Sequence, residues 1–103
     1  MENKKVTKFD LVKSIVEDTG IAYKDVSQVI NKLLDAIKDS LKENSTIELR
    51  GFGTFKVSHR AARIAYKPKG RDKLEIPDKF IPVFKPVKNL KDEVNDNCHS
   101  LNK

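Results

Sequence analysis

The sequence is poor in the features that mark secreted and membrane proteins. Its 103 residues include a single cysteine, Cys98, so no disulfide can form within the chain, and a reducing compartment is the natural setting. The residues that follow Met1 are polar and charged, unlike the apolar run of a signal peptide. No stretch reaches the roughly 18 consecutive apolar residues of a membrane-spanning helix. We therefore expect a cytoplasmic protein without a membrane partner.

The sequence also lacks the residue combinations of common catalytic and metal sites. His59 and His99 lie far apart in the chain, and Cys98 beside His99 has no second cysteine with which to complete a metal site. There is no phosphate-binding Gly-Lys-Ser/Thr loop and no Gly-x-Ser-x-Gly motif, and the acidic residues are dispersed. We expect a protein that is not an enzyme and that uses no metal, cofactor or small-molecule substrate.

Positive charge is concentrated in one part of the chain. The formal net charge is +6, yet residues 1–55 carry nine Lys or Arg and nine Asp or Glu. Residues 56–91 carry 11 Lys or Arg against three acids, and residues 92–103 carry one Lys against three acids. A neutral half followed by a strongly basic one is typical of a folding module with an extension that binds a polyanion.

Helical periodicity fills the first part of the chain. Thr7 and Asp10 have the spacing of a capping box, and Gly20 suits the left-handed residue that ends a helix, which predicts a first helix over 8–19. A second helix over 23–43 carries a wide apolar stripe of Val26, Val29, Ile30, Leu33, Leu34, Ile37 and Leu41. One short helix cannot cover this stripe, so we expect a partner subunit. A site for a small apolar ligand is the less favoured alternative.

The period changes to two after Thr46, which predicts strands. Ile47 and Leu49 belong to a first strand, the glycines within 50–53 form a tight turn, and residues 54–58 form the answering strand. The sequence therefore predicts a hairpin that is rooted in a small core.

Residues 59–79 predict a projecting arm. Large apolar side chains are few in this segment, and Pro68 and Gly70 argue against a helix. A disordered basic loop and an extended ribbon are the alternatives, and the alternation of Leu74 and Ile76 favours the ribbon. Because such a ribbon cannot pack on its own protein, we expect it to pack on something else.

The end of the chain returns to the core. Residues 80–84 predict a strand, and prolines at 77, 82 and 86 donate no ladder hydrogen bond, so we expect either an edge strand or proline nitrogens that face outward. Residues 88–94 predict a short last helix, and 95–103 a disordered tail. The fold class is α+β, with two N-terminal helices, a three-stranded antiparallel sheet extended into a β-ribbon arm, and a short C-terminal helix. Residues 1–94 form a single domain, so small that oligomerisation is expected.

Eight cationic side chains line the two limbs of the predicted ribbon. They are Lys56, Arg60, Arg63, Lys67, Lys69, Arg71, Lys73 and Lys79. Cations that neutralise phosphates release counterions, and arginine suits the narrow, negative minor groove of duplex DNA. At the tip, the rigid ring of Pro68 is either a turn former or a wedge between base pairs.

Four segments of the chain resemble one protein family. They are Gly51-Phe52-Gly53-Thr54-Phe55, His59-Arg60-Ala61-Ala62-Arg63, Pro68, and Leu90-Lys91-Asp92. With this spacing, residues 6–94 are similar to the bacterial HU/IHF family of histone-like nucleoid proteins. The resemblance implies an intertwined dimer with a helical body and two β-ribbon arms, which lie in the minor groove and bend the duplex. At the tip, Tyr66-Lys67-Pro68 stands where the family usually has Arg-Asn-Pro.

The resemblance also implies roles for individual residues. Pro68 is the residue expected to intercalate between bases. The residues expected to hold the minor groove are Arg60, Arg63, Tyr66, Lys67, Lys69, Arg71 and Lys73. The residues expected to touch phosphates from the body are Lys8, Lys56, Lys79 and Lys88.

The expected partner is double-stranded DNA, bound by a nucleoid-associated homodimer, with a heterodimer as the alternative. The rival hypothesis is a basic RNA-binding or ribosome-associated protein. It is less favoured because the deep, narrow major groove and shallow minor groove of A-form RNA suit a wedge-tipped ribbon poorly. A protein-interaction module with an incidental basic arm is a third hypothesis.

Overall fold

The chain forms three helices and five strands within residues 3–66, 70 and 72–101, the part that the computed structural model describes. The helices are α1 (Lys8–Thr19), α2 (Tyr23–Lys42) and α3 (Lys88–Leu101). The strands are β1 (Ile47–Leu49), β2 (Gly53–Arg60), β3 (Arg63–Tyr66), β4 (Lys73–Ile76) and β5 (Lys79–Pro86). The described residues divide into a helical unit, 3–39 with 91–101, and a sheet unit within 40–90. The predicted α+β class is confirmed.

Helix α1 begins at a capping box and ends at a glycine. The Asp10 N–H donates to Thr7 Oγ1 at 3.3 Å, and the Thr7 N–H donates to Asp10 Oδ2 at 3.0 Å. Gly20 has φ 75°, and its N–H donates to the Val16 carbonyl at 2.9 Å. Both ends therefore satisfy backbone groups that a helix leaves unpaired, and the prediction of a helix over 8–19 is confirmed.

The helical unit buries little of its apolar surface. Val12 on α1 and Val26 on α2 are 2% and 5% exposed, and no other hydrophobic side chain in the described ranges is buried. Around Val26 an apolar hollow of about 300 Å³ remains open. Further along the predicted stripe, Val29 is 66% exposed. The second helix is therefore confirmed, and the described part of one chain covers its apolar stripe only in part.

The three-stranded sheet has the order β1-β2-β5, and both strand pairs are antiparallel. The predicted turn is present, with φ 83° at Gly51 and a hydrogen bond of 3.0 Å from the Phe52 N–H to the Leu49 carbonyl. At Gly53, a Cβ atom would lie only 2.5 Å from the ring of Phe84 and 2.6 Å from the Lys85 carbonyl. The absence of a side chain at Gly53 therefore allows the Phe84 ring to pack closely against β2.

The hairpin of β2 and β5 continues outward as a second ladder. Strand β5 is at an edge of the described sheet, as its prolines predicted. Beyond it, β3 and β4 pair with each other alone, in a two-stranded sheet called here the distal ribbon. The predicted arm is therefore an extended ribbon in its described part, and the tip residues 67–69 and 71 lie outside the described residues.

Helix α3 is longer than the sequence predicted. It runs for 14 residues to Leu101, so residues 95–101 are helical where we expected a disordered tail. His99 lies in its last turn. The C-terminal helix is thus not short, and it exceeds α1 in length.

Candidate nucleic-acid interface

Four cations share one face of the ribbon that β2 and β5 form. Lys56, Arg60, Lys79 and Lys85 project to the same side, because side chains alternate between the two faces of a strand and the register aligns them. Arg60 lies directly opposite Lys79, and Lys56 is diagonal to Lys85. We call this side of the ribbon the cationic face.

Lys56 and Lys85 are close enough to perturb one another. Hydrogen bonding with Lys85, and then the positive charge of that residue, lowers the pKa of Lys56 below the usual lysine value. Two like charges side by side are unfavourable, and an anion placed between them removes the repulsion. This part of the cationic face is therefore suited to hold a phosphate.

Three cations predicted for the interface meet at a cleft beside the end of the sheet. Arg60, Arg63 and Lys79 line this cleft of about 550 Å³ together with Pro77. Within the described ranges no carboxylate lies at ion-pair distance from any of the three cations. The cleft therefore presents positive charge that an anion can neutralise.

The distal ribbon exposes most of its side chains. Tyr66 is 65% exposed and shares a face with Ile64 and Lys73, whereas Arg63 and Leu74 project from the other face. A two-stranded ribbon without a third strand or a helix beneath it is marginally stable alone in water. Its apolar and cationic side chains are therefore available to a partner.

The structure brings most of the described candidate residues together on one hairpin. Those on or at the base of the hairpin are Arg60, Arg63, Tyr66, Lys73, Lys56 and Lys79. Lys67, Pro68, Lys69 and Arg71 lie outside the described residues. Lys8 and Lys88 are the first residues of α1 and α3, and Lys8 Nζ donates to Asn31 Oδ1 at 2.8 Å.

The sequence patterns did not single out Lys85 or the contact between His59 and Asp78. A signal for Lys85 was available, because Lys79 and Lys85 stand at an even spacing in one strand and therefore share a face. The contact of His59 with Asp78 depends on the register of the hairpin, which no local pattern reveals.

Within the described part of the chain, no group of three or more His, Cys, Asp or Glu side chains is arranged to hold a metal ion. Nor does any helix in the described ranges have the length and apolar character needed to cross a bilayer. The chemistry that these residues offer is that of a cationic binding surface.

Comparison with known proteins relates this surface to a family. The sequence matches the family described as bacterial DNA-binding protein over residues 6–95. The chain is 44% identical over 91 residues to DNA-binding protein HU of Thermus thermophilus, a match that covers 88% of this chain and 94% of that protein. It is 41% identical over 92 residues to integration host factor subunit beta of Marinobacter nauticus, with 88% and 94% covered. A cocrystal structure of Anabaena HU with DNA superposes with a TM-score of 0.77 at 29% identity, covering 86% of this chain and 97% of that one.

Proposed function

This chain belongs to the bacterial DNA-binding protein family, and we propose that it is an architectural protein that binds duplex DNA through the minor groove and bends it. The observation that carries the proposal is the cationic face, continued outward by a ribbon that has no core of its own. Binding to DNA accounts for both features, because phosphates neutralise the cations of the cationic face and the walls of the groove cover the distal ribbon. Compaction or shaping of the nucleoid in the cytoplasm follows from such bending.

Phosphate contacts supply most of the affinity in this proposal. Each phosphate that is neutralised on a duplex contributes about −0.9 to the slope of log affinity against log salt. The cleft cations Arg60, Arg63 and Lys79, and the pair Lys56 and Lys85, are the described groups we assign to this role. Lys8 and Lys88 remain proposed contacts of the body, and Tyr66 and Lys73 proposed contacts of the groove.

Bending requires that the free energy gained from these contacts exceeds the free energy needed to deform the duplex. Bending a site smoothly by tens of degrees costs on the order of 1–6 kcal/mol, and unstacking a base step adds a few more. We assign the unstacking to Pro68, whose ring lies between charged neighbours in the sequence. Flexible pyrimidine–purine steps are then preferred, because they deform at the lowest cost.

We also propose that two copies of the chain form the DNA-binding unit. A single chain leaves both the stripe of α2 and the ring of Phe80 largely exposed, and a second chain of the same kind can cover such surfaces. A different family member as the second chain is the alternative, since several relatives are named as one subunit of a factor.

Two variants distinguish the effect of Pro68 on the bend angle from the effect of the cations on the salt dependence of binding. Pro68→Ala removes the rigid ring and keeps every cation, so the affinity changes little while the bend angle falls. Lys85→Gln removes one cation and keeps the tip, so the bend persists and the salt slope falls by about 0.9 for each copy of the chain. Both effects are measured by energy transfer between dyes at the two ends of a duplex, over a series of salt concentrations.

The wild-type protein must shorten the distance between the ends of the duplex. A bound duplex that stays straight contradicts the proposed function. If Pro68→Ala bends the duplex as much as the wild type does, Pro68 does not act as a wedge. The proposed phosphate contacts are unaffected by that result. Tighter binding to duplex RNA than to duplex DNA at one salt concentration favours an RNA-binding or ribosome-associated protein instead.

A further inference from the structure

The hairpin is interrupted at one place without losing its register. Arg60 pairs with Lys79 at the end of the sheet, and Arg63 pairs with Ile76 at the start of the distal ribbon. Each strand therefore contributes two residues that stand outside both ladders, 61–62 on one strand and 77–78 on the other. Because the two numbers are equal, the interruption is not a bulge, which adds residues to one strand alone. We call these four residues the hinge.

Two features weaken strand pairing at the hinge. Pro77 has no N–H to donate to a ladder. Next to it, Arg60 and Lys79 form the last pair of the sheet, and like charges directly opposite one another destabilise a strand pair. The hinge backbone therefore does little by itself to hold the distal ribbon in one direction.

One side chain spans the hinge from the sheet side. His59 Nε2 lies 3.0 Å from Asp78 Oδ2, which joins the paired part of β2 to an unpaired residue of the hinge. The imidazole also packs on Phe80, its direct partner in the register, with ring centroids 4.6 Å apart and planes inclined by 31°. The imidazole that contacts Asp78 is therefore also in contact with an aromatic ring of the facing strand.

The same contact determines what the Asp78 carboxylate faces. Lys79 is its neighbour in the chain, and the adjoining cleft is lined by Arg60, Arg63 and His59 itself. The Asp78 carboxylate contacts His59 Nε2 at 3.0 Å, and none of these three cations lies within ion-pair distance of it in the described structure. In this arrangement the Asp78 carboxylate lies apart from the groups that the proposed function assigns to DNA.

We propose that His59 and Asp78 are positioning residues for DNA binding. Their contact, called here the clasp, sets the direction of the distal ribbon relative to the sheet and withholds the Asp78 carboxylate from the cleft. The predicted effect on DNA affinity rests on the proposed function. The effect of the clasp on the free protein is independent of DNA.

The first test measures backbone order in the free protein. His59→Ala and Asp78→Ala open the clasp, so the amide order parameters of residues 63–66 and 73–76 fall towards the values below about 0.6 that mark flexible backbone. Glu75→Ala removes the same charge from β4, and His99→Ala removes the other histidine, so both are matched controls that keep wild-type order. His59→Gln, which retains an amide donor near the position of Nε2, restores part of the order.

The second test measures affinity for duplex DNA at one salt concentration. Asp78→Ala binds about two- to fivefold more weakly than Glu75→Ala, the range expected for one exposed polar contact, although both variants gain the same charge. His59→Ala binds more weakly still, because the released carboxylate competes with phosphate in the cleft. Adding Asp78→Ala to His59→Ala returns the affinity to that of Asp78→Ala alone.

Unchanged order parameters in both clasp variants would overturn the positioning of the distal ribbon. Equal affinities of His59→Ala and the double variant would overturn the withholding of the carboxylate. A wild-type protein that fails to bind duplex DNA overturns the proposed function instead, and the order parameters then still decide whether the clasp directs the ribbon.

Discussion

The two glycines of the Gly51-Phe52-Gly53 segment have different roles. The sequence predicts a tight turn in which both glycines are available for positive φ. Among the described glycines of this segment, only Gly51 has positive φ, at 83°. At Gly53 the ring of Phe84, a residue far along the chain, occupies the space that a side chain would need. The local sequence of this segment therefore predicted the turn, but it did not predict the contact between Phe84 and Gly53.

Replacement of Gly53 tests this packing. In Gly53→Ala the new methyl group overlaps the Phe84 ring and the Lys85 carbonyl, so Phe84 or the strand must shift. Overpacking of this kind costs about 1–3 kcal/mol, which lowers the melting temperature by roughly 5–20 °C in a domain of this size. Thermal unfolding followed by circular dichroism measures the change.

The control for Gly53→Ala is Gly51→Asn. Asparagine tolerates the left-handed conformation, and no atom lies within 4 Å of the Cβ position at Gly51. This variant is expected to melt close to the wild type. Equal losses in the two variants would show that the turn, and not the contact with Phe84, sets the stability.

Among the elements, α1 was the most predictable and the hinge the least. The capping box and the final glycine of α1 are signals within one turn of the helix ends. The hinge depends on Arg60 meeting Lys79 across the ribbon, a fact of register that appears only when the strands pair. Residues 95–100 of α3 are mostly Asn, Asp, His and Ser, which favour helices weakly, so composition predicted a tail.

The capping box of α1 predicts a pH dependence of stability. The hydrogen bond from the Thr7 backbone N–H, and then the Thr7 side chain, lowers the pKa of Asp10 below its ordinary value of 3.8. Because the pKa is lower in the folded state, this contribution is complete above the unfolded value and is lost as the pH falls through the folded value. Asp10→Asn is therefore less stable than the wild type at pH 7, and the two converge as the pH falls below the folded-state pKa of Asp10.

Urea unfolding at several pH values measures this difference. Asp18→Asn removes the same charge from the last turn of α1, where a negative charge opposes the helix dipole, so it is expected to be neutral or stabilising at pH 7. A pH-independent difference between Asp10→Asn and the wild type would contradict the role of the ionised carboxylate.

In the whole molecule, apolar surface is left open in both units. The helical unit exposes Val29 and Leu33 along α2, and the sheet unit exposes Phe80 and Phe84. A chain of this size that buries only Val12 and Val26 among its described hydrophobic residues has little to stabilise it alone. The sequence predicted the stripe, and with it a partner subunit, because periodicity is local. The resemblance supplied the intertwined form of the dimer.

Light scattering tests the proposed dimer, with an expected mass of twice the 11.7 kDa chain. Leu33→Asp places a charge in the stripe, so dimers dissociate and cooperative unfolding is lost. Lys32→Asp introduces the same side chain beside it on the polar face and is expected to stay dimeric. A folded wild-type protein of 11.7 kDa would contradict the proposed dimer.

The equal gap on both strands of the hairpin limits how relatives of this chain can differ in length. Loss of a single residue from one strand shifts every pair beyond it and turns that strand's outward side chains inward. Loss of one residue from each strand keeps the pairs but turns the distal ribbon over. The length of the hairpin arm is therefore expected to vary among relatives in steps of two residues on each strand. Such steps keep the same face of the distal ribbon towards the groove.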